Sequence, residues 1–110
     1  MTAKDIMKNL DLKSLTGEEG LQNEVSGGYA GDLLSWVMAN AREKNVWITV
    51  QGHMNSIAVA SLSGISCIIM AEGSLPEEDA VNKAAEEGIP VFSTQKSSYS
   101  IIKELVSLGV

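Results

Sequence analysis

At 110 residues the chain has the length of one domain, and 45% hydrophobic residues suffice for one core. Aromatics make up only 5%, so that core must rest on Ile, Val, Leu, Met and Ala. Eight basic against 14 acidic residues give a net charge of −6, and only Arg42 and Lys44 lie close together. This excludes the clustered cations with which proteins neutralise nucleic-acid phosphates or an anionic membrane surface, so neither nucleic acid nor membrane is an expected partner.

In chain order, Thr2-Ala3-Lys4-Asp5 has the spacing of a capping box and predicts a short helix over residues 3 to 9. Thr16 to Gly20 marks a turn, and the glycine-rich stretch from Glu24 to Asp32 fits no regular element. Leu33, Leu34, Trp36, Val37, Met38 and Ala41 then predict a largely buried helix that ends near Arg42-Glu43-Lys44.

From residue 46 the pattern becomes three strand-then-helix units. Val46 to Val50 is β-branched and aromatic, as a buried strand requires. A helix follows from about Asn55 to Gly64, then a second strand from Ile65 to Met70. Ser74-Leu75-Pro76-Glu77 combines a capping-box spacing with an early proline and opens the next helix, which Gly88 and Pro90 close. Ile89 to Phe92 reads as the third strand, its proline fitting an edge or a strand start, and Ser97 as the cap of a last helix.

Short apolar strands alternating with amphipathic helices predict an α/β fold, a small predominantly parallel sheet flanked by helices on both faces, forming a single domain over residues 1–110. The lone Cys67 lies in a strand and reads as a buried hydrophobe. No basic, apolar and cleavage-site sequence opens the chain, and no apolar run nears the roughly 20 residues that span a bilayer. The expected location is the cytoplasm.

Ligands in open parallel sheets bind beyond the carboxyl ends of the strands. That rule selects four segments: Gly27 to Asp32, Gln51 to Asn55, Ala71 to Ser74 and Ser93 to Ser98. The polar residues Asp32, Gln51, His53, Asn55 and Glu72 fall among them, with Gly28 able to let backbone approach a phosphate. Each also has a plain structural reading: Asp32 as the cap of the helix at Leu33, Asn55 as a helix cap, His53 as part of a turn, Gln51 as a solvated loop residue, Glu72 as surface charge near Gly73, Gly28 as a turn or bulge. There is no phosphate-binding Gly-x-x-x-x-Gly-Lys-Ser/Thr, no Gly-x-Gly-x-x-Gly and no Gly-x-Ser-x-Gly, hence no complete catalytic motif. His53, Asp32 and Glu72 are a conceivable but poor metal set, and no metal or cofactor is expected.

Four stretches resemble the DRTGG-domain family in its short single-domain bacterial form: Gly27 to Met38, Trp47 to Asn55, Cys67 to Gly73 and Glu86 to Val91. That family is related to the N-terminal domain of bacterial HPr kinase/phosphorylase, and similar domains accompany nucleotide-sensing modules in some pyrophosphatases. The Asp-Arg segment of the family would fall near Gly52-His53-Met54-Asn55, and the Thr-Gly-Gly segment near Ala71-Glu72-Gly73. The resemblance implies a dimer-forming regulatory domain without an established reaction.

The expected function is a non-catalytic, homodimeric module that binds a small ligand or a protein partner through Gly28, Asp32, Gln51, His53, Asn55 and Glu72. The ligand classes expected are nucleotides and phosphorylated metabolites. One alternative is a small hydrolase or phosphotransfer protein using His53, with Asp32 or Glu72 as orienting carboxylate. The other is a purely structural adaptor.

Overall fold

The computed structural model describes residues 1–110. Its first helix, α1 (Ala3–Asn9), starts at the Thr2–Asp5 capping box. The Thr2 hydroxyl accepts the Asp5 N–H, and the Asp5 carboxylate accepts the Thr2 N–H. The chain continues through β1 (Lys13–Ser14), β2 (Gly28–Ala30), α2 (Leu34–Asn40), β3 (Val46–Thr49) and α3 (Met54–Ser63). It ends with β4 (Cys67–Met70), α4 (Glu78–Glu86), β5 (Val91–Ser93) and α5 (Ser98–Ser107).

The five strands form one sheet in the order β1-β5-β4-β3-β2. β2 to β5 run parallel, in register from Tyr29↔Trp47 through Trp47↔Ile68 to Ile68↔Val91. β1 pairs antiparallel with β5, Lys13 opposite Ser93.

Alternation along the buried strands sends side chains into two cores. Val46, Ile48, Cys67, Ile69 and Phe92 face Ala3 and Ile6 of α1 and Ile101 and Leu105 of α5. Trp47, Ile68, Met70 and Val91 face Val37 of α2, Ile57 and Ala60 of α3, and Ala80 and Ala84 of α4. The connections from β2 to β5 advance strand by strand in one direction, which is why α2, α3 and α4 share a face. α5 alone crosses to the other side after β5, beside α1. The α/β fold with helices on both faces is as the sequence predicts.

Several local expectations are corrected. The glycine-rich stretch without an assigned element contains edge strand β2. Helix α2 is mostly exposed, with only Val37 buried, because it covers the sheet edge and has a helical neighbour, α3, on one side only. The capping box at Ser74 does not form. The Ser74 hydroxyl donates to the Ala71 carbonyl at 2.7 Å, and α4 begins after Glu77 with no side-chain cap. Pro90 does stand at a strand start: its carbonyl accepts the Ile68 N–H at 2.9 Å, and β5 opens at Val91. Ser97 caps α5 through the Ser100 N–H, as expected.

Candidate functional site at the carboxyl ends of the strands

Asp32 lies in the loop after β2. One carboxylate oxygen accepts the Thr49 hydroxyl and the Val50 N–H, both at 2.8 Å. The expectation that Asp32 caps the next helix is therefore wrong: Leu33 holds that position and makes no side-chain cap bond. The Thr49 hydroxyl in turn accepts the Gln51 N–H at 3.0 Å, and the Gln51 carbonyl accepts the Ser56 hydroxyl at 2.9 Å. The loop after β3 is thus fixed at both ends.

His53, not Asn55, caps α3. Its Nδ1 accepts the Asn55 N–H at 3.0 Å, which places the proton of the neutral ring on Nε2. Nε2 lies 4.0 Å from Oε1 of Glu77, too far for a hydrogen bond. The carboxylate beside His53 is that of Glu77, in place of the expected Asp32 or Glu72. It comes near because the Gly52 carbonyl accepts the Glu77 N–H at 2.9 Å. The loops approach closely there: a Cβ on Gly52 would stand 2.6 Å from Cα of Pro76.

The loop after β4 is tied to the loop after β5. Glu72 donates its N–H to the Lys96 carbonyl at 2.8 Å, and Gly73 donates to Thr94 at 2.9 Å. Both residues are left-handed, with φ of +61° and +73°. Glycine adopts that conformation freely, whereas a side chain costs about 1–2 kcal/mol there. Glu72 therefore occupies a backbone position suited to glycine, within the segment where the resemblance places Thr-Gly-Gly.

Asp32, Gln51, His53, Asn55 and Glu72 thus lie along one end of the sheet, on loops that backbone hydrogen bonds hold together. They do not enclose a cavity; they line an open rim, and none borders any of the four concavities of the molecule. His53, Asp32 and Glu72 do not gather, and no group of three or more His, Cys, Asp or Glu side chains is placed to hold a metal ion. Gly28 stands apart. It opens β2 at the opposite end and lines an apolar recess with Ala30, Ile48, Leu105 and Val106.

Sequence reasoning missed the apolar part of this rim. Leu33 is 62% exposed and Tyr99 81%, and Val50, Met54 and Leu75 are exposed too, each within or next to a segment that follows a strand. In the sequence each simply extends an apolar run or a cap. Trp36, also 62% exposed, lies with Leu33, Met38 and Leu62 on α2, its flanking residue and α3. Trp47, by contrast, is fully buried, and its indole N–H donates to the Gly31 carbonyl at 2.9 Å.

Burial also governs the single cysteine. Desolvation pushes the Cys67 thiol up to about 12, so it stays protonated and inert at neutral pH. No helix is long and apolar enough to cross a membrane.

A small, mostly parallel five-stranded sheet with helices on both faces defines a compact α/β module. The DRTGG domain model matches residues 5–108, and the chain belongs to that family. A solved structure of similar fold contains the CBS and DRTGG domains of the regulatory region of Clostridium perfringens pyrophosphatase, complexed with the activator diadenosine tetraphosphate. The TM-score is 0.71 at 16% identity; the match covers 96% of this chain and 46% of that one. This chain thus spans about half the length of that structure. No curated protein matches it.

Proposed function

We propose that this chain is a non-catalytic regulatory module that senses a small ligand or a protein partner at the carboxyl end of its sheet, and that it works as a homodimer. The observation that carries this reading is the make-up of the rim. Exposed Leu33, Val50 and Met54 adjoin Asp32, Gln51, His53 and Asn55 in the chain, and exposed Leu75 and Tyr99 follow the strands at the same end of the sheet as Glu72. Apolar anchors among polar groups are the anatomy of a recognition surface. Loops already fixed by hydrogen bonds lower the ordering cost of binding.

The polar groups have distinct uses. The amides of Gln51 and Asn55 supply donors and acceptors, Nε2 of His53 a donor, and Glu72 and the second Asp32 oxygen acceptors. Nucleophilic catalysis needs a nucleophile within reach of its base, and Nδ1 of His53 is already engaged by the Asn55 N–H. The activator held by the similar pyrophosphatase region makes nucleotides the first ligands to try. Dimerisation is supported by the exposed apolar surface of Leu33, Trp36, Met38 and Leu62. A single reduced cysteine fits a cytoplasmic setting.

The test is a thermal-shift panel of nucleotides, including diadenosine tetraphosphate, and phosphorylated metabolites, run on the native chain and on His53→Ala. A ligand present at 100 times its Kd stabilises by about 2.7 kcal/mol, an easily measured shift. A stabilising compound whose effect shrinks in His53→Ala supports the rim as the sensing site. Equal stabilisation of both proteins would place the ligand elsewhere.

A further inference from the structure

The connections that follow β4 and β5 leave the sheet on opposite sides. β4 leads into α4 on the Trp47 face, and β5 leads into α5 on the Phe92 face. Where neighbouring parallel strands diverge in this way, a crevice opens at their carboxyl ends, and open α/β sheets take ligands at such points. Here it is a cleft of about 270 Å³ lined by Asp11, Lys13, Gly73, Ser93, Thr94 and Gln95, with Leu75 at one side. None of the rim's polar residues lines it.

The chemistry of the cleft is specific. Asp11 and Lys13 enter it from the antiparallel edge at β1, two positions apart, and both are exposed. Neither takes part in any ion pair of the molecule. The Thr94 hydroxyl accepts the Lys96 N–H at 3.2 Å, which leaves its own proton to donate. Gly73 has no side chain to fill the space, and a Cβ there would meet Oε1 of Gln95 at 2.5 Å. The volume lies just below the roughly 300–1,000 Å³ of sites for drug-sized ligands, and no aromatic ring lines the walls to stack on a base.

We propose that this cleft binds a small zwitterion of the α-amino acid class, its carboxylate on Lys13 and its ammonium group on Asp11. A simple anion would meet Asp11 and a simple cation would meet Lys13, so the pair selects against both. The hydroxyls of Ser93 and Thr94 and the Gln95 amide face the rest of the ligand. This assignment rests on the reading of the chain as a ligand sensor and names a ligand class for it, at polar residues other than those of the rim.

The experiment titrates the twenty L-amino acids, one at a time at millimolar concentration, into the isotopically labelled native chain and follows its backbone amide resonances. N-acetylated, C-amidated derivatives of the same amino acids serve as uncharged controls. The expected result is that at least one free amino acid moves Gly73, Thr94 and Gln95 while its blocked derivative does not. Lys13→Met and Asp11→Asn each then weaken that binding roughly tenfold or more, as loss of a charge-assisted contact does. Both replaced side chains are exposed and unpaired, so the variants keep the native spectrum elsewhere. The assignment is overturned if no amino acid moves these resonances, or if the blocked derivatives bind equally well. Shifts confined to Gln51, His53 and Asn55 also overturn it while leaving the sensing role of the rim intact.

Discussion

The Thr49 hydroxyl donates to the Asp32 carboxylate at 2.8 Å and accepts the Gln51 N–H at 3.0 Å. That hydroxyl, with the Val50 N–H that donates to the same Asp32 oxygen, joins the loop after β2 to the loop after β3. Thr49 is 1% exposed, so its hydroxyl must find its partners within the protein. Asp32→Ala should destabilise the fold by about 1.5–3 kcal/mol, the range for losing a hydrogen bond to a charged group. Thr49→Val should cost a similar amount, and the double variant less than the sum, because the pair shares one interaction. Urea denaturation of the four proteins measures the coupling; strict additivity would mean the Asp32–Thr49 contact contributes nothing.

Gly52 is required by space. Alanine there would place its Cβ against the Pro76 backbone, which has no flexible end to yield. Gly52→Ala should destabilise by about 1–3 kcal/mol, the usual cost of overpacking. It should also part the two loops, and so weaken hydrogen-exchange protection of the Glu77 amide. The control is Asn55→Ala, an exposed change expected to stay within about 0.5 kcal/mol. Equal stability of the two variants would show that the loops separate at no cost.

Trp36 offers a test of the proposed dimer. Trp36→Glu adds a charge to an exposed apolar face and should leave monomer stability within about 0.5 kcal/mol of native. Light scattering after size exclusion should give twice the chain mass for the native protein and the chain mass for the variant. A native monomer at high concentration would remove the dimer from the proposed function.

Cys67 predicts a pH effect with a definite sign. Its thiol is raised from 9.0 to about 12 in the fold, so the unfolded chain releases the proton first. Stability is therefore complete below about pH 9 and falls as pH rises from there towards 12. Cys67→Ala should flatten that alkaline slope in denaturation curves taken across the range. Rapid alkylation of the native protein at neutral pH would contradict the buried, protonated thiol.

The sequence alone determined the elements whose signals are local. The Thr2–Asp5 box sets the start of α1, Gly64 the end of α3, Gly88 the end of α4 and Ser97 the start of α5. The apolar runs at Val46, Cys67 and Val91 set the three central strands, and their alternation with helices set the α/β class. Each of these depends on backbone or side-chain chemistry within a few residues.

What only the tertiary structure decided depends on partners distant in the chain. β1 and β2 hold 2 and 3 residues and exist as strands only because β5 and β3 pair with them. The Ser74 box lost to a different anchorage, since the Gly52 carbonyl fixes Glu77 and sets where α4 begins. Exposure of Trp36 follows from the place of α2 at the sheet edge, which a helical apolar pattern cannot convey. The candidate site divides in the same way. Strand order put Asp32, Gln51, His53, Asn55 and Glu72 at one end and Gly28 at the other. The Asp11–Lys13 cleft arises where α4 and α5 diverge, because after α2, α3 and α4 the chain returns to the α1 face only beyond its last strand.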